Sequence, residues 1–405
     1  MRVLVQKYGG SSVASAERIR AVAERVARSR DAAGGVVVVV SAMGDTTDEL
    51  IRLARSITAD PDPRELDLLL STGETVSATL LAMALRELAC PAISLTAGQA
   101  GIRTNRWHSR ARITAIHPDR LRRELESGKV AIVTGFQGIT DEADITTLGR
   151  GGSDTTAVAL AIALEAERCE IYTDVAGIYT ADPRVEPNAR CLAQISYDEM
   201  LELAQQGARV MHARSVELGQ VYNMPILVRS SFVDAPGTLI GPGVPVEIRR
   251  RVQGIAHDTD VAKISLAGVL DRPGIAHALF EPLAQAGINV DVIVQTASFE
   301  GVTDISFTVS GSDLARAVDL VRPIADDVGA SKLDSAADLA KVSIVGTGIQ
   351  STPGYAARMF GILAEAGVNI EMITTSDIRI TCVVRRPEVE RAVRALHKGF
   401  ELDKE

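Results

Sequence analysis

A run of five valines, Val36–Val40, is the feature that most constrains the fold of this chain. A strand that is apolar at every position must be buried on both faces, which is typical of parallel sheets covered by helices. Further strands are predicted at Val130–Thr134, Glu170–Thr173 and Ile226–Val228, with helical patterns between them. This alternation predicts an α/β sandwich with a mainly parallel central sheet, whose ligands bind at the carboxyl ends of the strands.

Two glycine-rich segments lie where a predicted strand ends or a predicted helix begins, and both positions suit the binding of an anion. Lys7, Gly9 and Gly10 come directly after the first strand, and the run Gly149–Asp154 leads into an apolar helical pattern. Helix starts offer unpaired N–H groups and partial positive charge, and glycines let a ligand approach the backbone. The segments predict a phosphate-binding site, although an ordinary glycine turn with a Ser or Asp cap is the alternative for the second. The chain has neither a Walker loop nor a Rossmann glycine fingerprint.

Composition narrows the class of protein. A chain of 405 residues predicts two or three domains, and its net charge of −9 argues against a nucleic-acid surface. The cysteines form no Cys-x-x-Cys pair and the histidines show no ligand spacing, so metal ligands stay unassigned. No secretion signal and no apolar run of membrane-spanning length are seen in the sequence. We therefore expect a cytoplasmic protein without a membrane or nucleic-acid partner.

The C-terminal part contains an internal repeat. Asp271-Arg272-Pro273-Gly274 and Thr352-Pro353-Gly354 each precede a helical pattern, and an Ala-Gly-x-Asn turn follows each helix at the same spacing. Each copy reads as a ferredoxin-like βαββαβ unit. Heavy Gly and Pro punctuation before residue 245 separates the repeat from the first domain. The predicted domains are 1–245, 264–338 and 342–405.

The motifs together resemble a known family. The segments are Lys7–Ser12, Ser41–Gly44, Ser71–Glu74, Gly149–Asp154 and Tyr172–Tyr179. In this order and spacing they resemble the aspartate kinases of the amino-acid kinase superfamily, and the repeat units resemble ACT domains. The resemblance implies Mg²⁺- and ATP-dependent phosphorylation of the side-chain carboxylate of L-aspartate to 4-phospho-L-aspartate. It further implies the first step of the pathway to lysine, threonine and methionine, with feedback inhibition through the ACT domains.

The resemblance also implies roles for individual residues. Lys7 and Asp154 are the catalytic candidates, with Asp154 orienting the lysine at the phosphates. The candidates for binding aspartate are Ser41, Thr47, Glu74 and Arg150. The candidates for binding ATP are Lys7, Tyr8, Gly9, Gly10, Ser153, Thr173, Asp174, Tyr179, Arg184 and Arg209, the last at a position where many relatives carry lysine. Taken alone, Glu74 could be a first-turn helix carboxylate, and Asp182-Pro183-Arg184 could be an ordinary turn.

The same resemblance predicts an effector site for threonine, lysine or both, at an interface between ACT units. Its candidates are Asp271, Gly274, Ile275, Ala276, Gln295, Asn369 and Ile370. We expect a homo-oligomer formed through the ACT domains, and a separately made regulatory subunit is an open alternative. A repeat that serves only as scaffold is another. A glutamate, acetylglutamate or uridylate kinase would share the phosphate loops, and an amino-acid-sensing protein with a relic kinase domain is the reading from another class.

Overall fold

The structure is a computed structural model of the chain, and it describes residues 2–208, 210–243, 251–298, 300–349 and 352–404. It divides into two compact units. The first comprises Met1–Tyr179, Cys191–Gln205 and Arg209–Ile248, and the second comprises Thr180–Arg190, Gln206–Ala208 and Arg249–Glu405.

The first unit contains the central sheet of the expected sandwich and the helices that cover it. Its helices are α1 (Ala16–Ala33), α2 (Thr46–Ile57), α3 (Pro63–Glu87), α4 (Asp119–Glu126), α5 (Gly152–Ala163), α6 (Tyr197–Gln205) and α7 (Ala213–Val221). Its strands are β1 (Arg2–Tyr8), β2 (Gly34–Val40), β3 (Ala92–Leu95), β4 (Ile102–Thr104), β5 (Ile113–Ile116), β6 (Val130–Thr134), β7 (Gln137–Ile139), β8 (Ile145–Thr147), β9 (Cys169–Thr173), β10 (Gln194–Ser196), β11 (Ile226–Ser230) and β12 (Thr238–Gly241).

The central sheet has eight strands in the order β10-β12-β11-β9-β1-β2-β6-β3. All neighbours pair in parallel except β11 and β12. The valine strand β2 lies between β1 and β6, and Val36–Val40 are fully buried. Alternate valines pack against α1 and α3, and α5 packs against β1 and β2. The predicted α/β architecture is confirmed. A smaller sheet in the same unit has the order β5-β4-β7-β8.

Local sequence signals explain where the two long helices begin. The Ser15 hydroxyl caps α1 by accepting from the Arg18 amide at 3.2 Å. Asp62 caps α3 by accepting from the amides of Arg64 and Glu65, and Pro63 occupies the first helical turn. Among the described residues, α3 is the one helix that could cross a membrane by length and composition alone, and half of that stretch is buried inside the protein.

The second unit contains the repeat. Its strands are β13 (Gly254–Leu270), β14 (Ile293–Gln295), β15 (Val302–Val309), β16 (Lys332–Val345), β17 (Met372–Ser376) and β18 (Arg379–Arg385). Its helices are α8 (Ile275–Gln285), α9 (Leu314–Asp327), α10 (Tyr355–Glu365) and α11 (Val389–Gly399). The strands form one antiparallel sheet in the order β14-β15-β13-β16-β18-β17.

The two repeats share their long strands. In β13, Ala262–Leu270 pairs with β15, whereas Gly254–Asp258 pairs with the end of β16, which in turn pairs with β18. The strand that completes the second repeat therefore precedes the first repeat in the chain. The proposed boundaries at residues 264 and 342 consequently fall inside β13 and β16, which run through both repeats.

A short segment of the predicted first domain belongs to the second unit. Ala181 and Val185 lie in the hydrophobic core formed around α10 and α11. The Thr180 hydroxyl lies 2.9 Å from His397 Nε2, and the Arg190 guanidinium donates to the Leu402 carbonyl at 3.0 Å. This packing assigns Thr180–Arg190 to the second unit, although the segment lies between the β9 and β10 strands of the first.

The core of the first unit gives a matched stability prediction on α3. Leu81 is fully buried, whereas its neighbour Leu80 is 38% exposed. We expect Leu81→Ala to lower the free energy of unfolding by about 2–5 kcal/mol because it leaves a cavity, and Leu80→Ala to change it by less than about 1 kcal/mol. Urea unfolding followed by circular dichroism measures both. Equal losses in the two variants would contradict the packing of α3 described above.

Candidate functional site

A cavity of about 240 Å³ opens where β1, β2 and β6 end and α5 begins. Parallel strands bring their carboxyl ends to one edge of the sheet, so loops from distant parts of the chain meet there. The residues that line the cavity are Lys7, Gly10, Ser41, Ala42, Gly44, Thr47, Glu74, Phe136, Gly151, Gly152, Ser153 and Asp154. The structure therefore brings together the predicted residues Lys7, Gly10, Ser41, Thr47, Glu74, Ser153 and Asp154.

The Lys7 ammonium in the cavity is held by a carboxylate. Lys7 lies near the end of β1, and its Nζ is 2.7 Å from Oδ1 of Asp154 in the first turn of α5. The two side chains are only 12% and 10% exposed. A lysine in this setting has its ammonium directed to one place, because the partner carboxylate restricts the rotation of a long and flexible side chain.

Glycine is required at position 10, where the loop after β1 meets the loop after β2. A Cβ at Gly10 would lie 2.8 Å from the Ala42 carbonyl oxygen and 3.0 Å from that of Gly44. The Gly44 amide donates to the Gly10 carbonyl at 3.0 Å, and the Gly9 amide donates to the Tyr172 carbonyl at 3.3 Å. The loop after β1 is therefore pressed against the loop after β2 and tied to the end of β9.

The loop before α5 also depends on glycine. Gly149 and Gly151 have positive φ angles of 77° and 69°, and a Cβ at Gly151 would lie 2.2 Å from the His212 side chain. Gly151 occupies the N-cap of α5 and no side chain caps the helix. The alternative of a turn capped by Ser or Asp is therefore wrong. Helix α5 begins at the cavity with Ser153 and Asp154 in its first turn.

Glu74 brings a second, unusual charge to the cavity. It lies in the middle of α3, so the alternative of a first-turn helix carboxylate is wrong. Oε1 accepts from the Ala42 amide at 3.0 Å, whereas Oε2 is buried and has no hydrogen-bond partner among the described residues. Burial raises the pKa of Glu74 to about 7, against the lowering effect of the Ala42 amide. Such a carboxylate is suited to receive a cationic group from a ligand.

Arg150 lies beside the cavity's residues in sequence but is not part of its lining. It sits between Gly149 and Gly151, and its side chain is exposed. It makes no hydrogen bond or ion pair with any residue of the described ranges. The backbone of its loop therefore determines where the guanidinium can reach.

The predicted nucleotide residues fall into distinct places. The Tyr8 side chain is buried in the core, where its ring stacks on Tyr172 at a centroid distance of 4.7 Å. Thr173 ends β9, and its hydroxyl donates to the exposed Asp174 carboxylate at 3.1 Å. Tyr179 is half-buried, and its backbone forms a bridge with Cys191.

Of the two arginines predicted for ATP, the structure describes Arg184. Arg184 belongs to the second unit, where its side chain is 84% exposed and pairs with Asp182 at 2.7 Å. The Val185 amide donates to the Asp182 carbonyl at 3.0 Å, so the segment also forms the turn that the sequence allowed as an alternative. Arg209 lies outside the described residues.

Sequence reasoning missed Phe136 as a residue of the cavity. It follows β6 by two positions and adopts a positive φ of 68°, which is uncommon for a residue with a side chain. The Leu148 amide donates to its carbonyl at 2.8 Å, which ties it to the loop that leads to Arg150. Its place after a buried parallel strand was the available signal, because such positions face the ligand edge of the sheet.

The predicted effector residues occupy two ends of the second unit. Gly274 has a φ of 96° and caps α8, which starts with Ile275 and Ala276, and Asp271 is exposed nearby in sequence. Gln295 lies in β14, at one edge of the sheet. Asn369 and Ile370 precede β17, which forms the opposite edge. The two edge strands are five strand spacings apart, or roughly 24 Å.

Comparisons with known families cover most of the chain. Residues 2–230 match the amino acid kinase family, and residues 264–322 and 342–400 match an ACT domain family. The chain is 48% identical over 408 residues to an aspartokinase of Mycolicibacterium smegmatis, covering 99% of this chain and 97% of that protein. It is 47% identical over 405 residues to an aspartokinase of Pseudomonas aeruginosa, covering 100% and 98% of the two chains.

Solved structures agree with the sequence comparisons. E. coli aspartokinase III in complex with aspartate and ADP, described as the R-state, aligns with a TM-score of 0.82 at 27% identity, covering 98% of this chain and 99% of that one. The same protein in complex with lysine and aspartate, described as the T-state, aligns with a TM-score of 0.76 over the same shares. The cavity described above thus belongs to a fold that binds aspartate and ADP in a similar protein.

Proposed function

This chain belongs to the amino acid kinase family, and within it to the aspartokinases. We propose how its residues carry out phosphoryl transfer to aspartate. The protein transfers the γ-phosphoryl group of ATP to the side-chain carboxylate of L-aspartate and gives 4-phospho-L-aspartate. This is the first step of the pathway to lysine, threonine and methionine. Feedback regulation acts through its ACT domains.

The buried and unpartnered Oε2 of Glu74, in the same cavity as the Lys7–Asp154 pair, carries the residue-level proposal. We propose that Glu74 receives the α-ammonium of aspartate. Arg150 then meets the α-carboxylate, because its planar guanidinium can bind a carboxylate through two hydrogen bonds. Ser41 and Thr47 line the same cavity and contribute hydroxyl groups to the substrate.

Phosphoryl transfer needs charge compensation more than proton transfer. The side-chain carboxylate of aspartate has an ordinary pKa near ~3.9, so it is already ionised at neutral pH and needs no general base. It must approach a triphosphate that is also negative, and the repulsion is the barrier that a cation can lower. We propose that Lys7 supplies this charge and that Asp154 holds its ammonium in place.

The helix start and the glycine loops complete the phosphate site in this proposal. Gly152, Ser153 and Asp154 at the beginning of α5 line the cavity, and no side chain caps the helix at Gly151, so we propose that the first turn of α5 receives a phosphate. Gly9 and Gly10 allow the backbone to approach the phosphates. Thr173, Asp174 and Tyr179 then serve the nucleoside end, with Arg184 and Arg209 as further cations.

We propose that Mg²⁺ enters as part of the nucleotide substrate. In the described part of the chain, no group of three or more His, Cys, Asp or Glu side chains is placed to hold a metal ion. Mg²⁺ is commonly bound by substrate phosphates with few protein carboxylates, which fits this set of residues. The bound ion shields phosphate charge, and the role of Lys7 adds to that shielding.

The effector candidates of one chain lie at opposite edges of one sheet. Asp271 and Gln295 belong to the first repeat, and Asn369 and Ile370 lie next to the opposite edge of the same sheet. One small amino acid cannot bridge roughly 24 Å. We therefore propose that threonine, lysine or both bind between ACT units of two chains. These are copies of this chain in a homo-oligomer or this chain with a separate ACT subunit.

We place the reaction in the cytoplasm, where ATP and aspartate are available.

The assigned roles predict separable kinetic effects. Lys7→Ala should lower kcat by roughly 10²–10³-fold with a modest change in the aspartate KM, because the lysine meets charge that develops during transfer. Glu74→Ala and Arg150→Ala should mainly raise the aspartate KM, because each leaves one end of the substrate unpaired. ATP consumption with trapping of the acyl phosphate measures these constants. Lys129→Ala, which removes a lysine paired with Glu124 elsewhere in the unit, is the control. A kcat near that of the wild type in Lys7→Ala would refute the assignment.

The raised pKa of Glu74 predicts how aspartate binding depends on pH. Below pH 7 the free enzyme holds Glu74 protonated, and only the ionised form attracts an ammonium group. Affinity for aspartate should therefore rise about tenfold per pH unit up to about pH 7 and level off above it. Calorimetric titration between pH 5.5 and 8.5 tests this. Glu74→Gln should flatten the dependence, whereas Glu199→Gln, at another buried carboxylate, should leave it.

The raised pKa of Glu74 also predicts how the stability of the protein depends on pH. Because the folded pKa exceeds the ordinary value of 4.5, the folded state binds more protons than the unfolded state between pH 4.5 and 7. The contribution of Glu74 to the free energy of unfolding is therefore most favourable below pH 4.5 and declines as pH rises to 7. Between pH 4.5 and 7, the free energy of unfolding of the wild type should therefore fall relative to that of Glu74→Gln. An identical pH dependence of the two proteins would contradict the burial of an unpaired oxygen.

The regulatory proposal predicts variants that escape inhibition. Asp271→Ala and Gln295→Ala should relieve inhibition by threonine, lysine or their combination, while kcat without effector stays near that of the wild type. The reason is that an inhibitor must bind an inactive arrangement more tightly, and a coupling of ~1–3 kcal/mol gives roughly 5–150-fold inhibition. Asp319→Ala, on the exposed side of α9, is the matched control. If none of the amino acids inhibits the intact protein, the proposed effector site does not exist.

A further inference from the structure

We propose that Asp67 is a positioning residue for substrate recognition, because it holds the loop that carries Arg150. Asp67 lies in α3, is fully buried and does not line the cavity. The inference rests on the proposed role of Arg150 at the α-carboxylate of aspartate. It identifies the group that determines where this arginine stands.

The Asp67 carboxylate is the common acceptor of two segments, the end of β8 and the loop around Ser109. From the first, the Thr147 hydroxyl donates to Oδ1 at 2.5 Å and the Thr147 amide donates to Oδ2 at 3.0 Å. From the other, the Ser109 amide donates to both oxygens, at 3.1 and 2.9 Å, and His108 Nδ1 lies 2.9 Å from Oδ2. A buried carboxylate with this many donors fixes the groups around it, because losing any one leaves a polar atom unpaired away from water.

The loop around Ser109 is held in a conformation that needs such support. Ser109 has a positive φ of 64°, which is unfavourable for a residue with a Cβ. Its carbonyl oxygen lies against Gly149, where a Cβ would be only 3.0 Å away. The Ala111 amide donates to the Thr147 carbonyl at 2.9 Å. The loop around Ser109 therefore contacts the chain at Thr147 and at Gly149, directly before Arg150.

Arg150 has no other means of orientation in the described ranges. Its exposed side chain makes no hydrogen bond or ion pair there, so the backbone of Thr147–Gly149 sets the Cα position from which its guanidinium can reach the substrate. A shift of that backbone would move the arginine relative to Glu74, which is fixed separately by its contact with the Ala42 amide. The distance between the two ends of the substrate site therefore depends on Asp67.

Helix α3 consequently sets both ends of the site. Glu74 follows Asp67 by two turns on the same buried side of the helix, a rise of about 10 Å. Glu74 acts directly at the cavity, and Asp67 acts through the loop of Arg150. Gln137 strengthens the frame, because its side-chain amide donates to the Ser71 carbonyl between them at 3.1 Å.

Steady-state kinetics of the full-length protein test the inference. The variants are Asp67→Ala, Asp67→Asn and Thr147→Val, each alone and combined with Arg150→Ala. We expect Asp67→Ala to raise the aspartate KM roughly tenfold to a hundredfold, since a displacement of about 1 Å has effects of this size. The ATP KM and kcat should stay within roughly threefold. Asp67→Asn retains one carbonyl acceptor but loses the other, so it and Thr147→Val should each raise that KM measurably above the wild-type value, though by less than Asp67→Ala.

Two comparisons separate positioning from stability. Glu199→Gln alters another fully buried carboxylate that accepts from a backbone amide and a hydroxyl, those of Ser196, so it reports the cost of a buried acceptor as such. It should lower the melting temperature without changing the aspartate KM. In the Arg150→Ala background, Asp67→Asn and Thr147→Val should add no further increase in that KM. If Asp67→Ala does not fold, these two folded variants still decide the matter.

Three outcomes overturn the inference in distinguishable ways. An unchanged aspartate KM in Asp67→Asn and Thr147→Val, alongside a raised KM in Arg150→Ala, would leave Arg150 as the ligand and remove the role of Asp67. Effects that add fully to that of Arg150→Ala would show that Asp67 acts by another route. A wild-type KM in Arg150→Ala would refute the proposed role of Arg150 and the inference with it.

Discussion

Parallel pairing around β2 is the constraint on which the first unit depends. Five successive valines without solvent exposure can only occupy a strand covered on both faces, and β1 and β6 flank it in parallel. Their carboxyl ends then lie at one edge. Lys7 lies near the end of β1, and Ser41 and Phe136 follow β2 and β6, so residues far apart in sequence line one cavity. The chemistry of the site therefore begins with burial of apolar surface rather than with any catalytic side chain.

The site stores unfavourable features that the rest of the unit must offset. The unpaired Glu74 oxygen is costly to bury, as its raised pKa indicates, and Phe136 and Ser109 adopt positive φ angles. All three lie at or next to the cavity and its supporting loops. Each departs from what folding alone favours, whereas α1 and α3 follow ordinary capping and packing rules. A carboxylate left unpaired in the free protein is one that a substrate ammonium can satisfy.

Sequence reasoning predicted the parts of the site that follow from local pattern. Lys7, Glu74 and Asp154 belong to short motifs, and the structure gathers them in one cavity. It could not find Asp67, because a single aspartate in a helix has no signature until its five contacts with distant loops are known. Nor could it place Arg184, since the turn after β9 gives no local sign that its apolar residues pack with α11. Long-range packing decides both positions.

The repeat shows the same limit and its consequence for regulation. Periodicity correctly predicted two ferredoxin-like units, but β13 and β16 run through both, so the repeats form a single hydrogen-bonded sheet. The β13–β16 pairing joins the two repeats, and its register shifts between Asp258 and Lys263, where it passes from one repeat to the other. A displacement of one repeat is therefore passed to the other through these two strands, and in the second repeat it reaches Thr180–Arg190, which packs into its core. Because that segment continues directly from Tyr179, the regulatory unit itself holds the stretch of chain that carries Arg184.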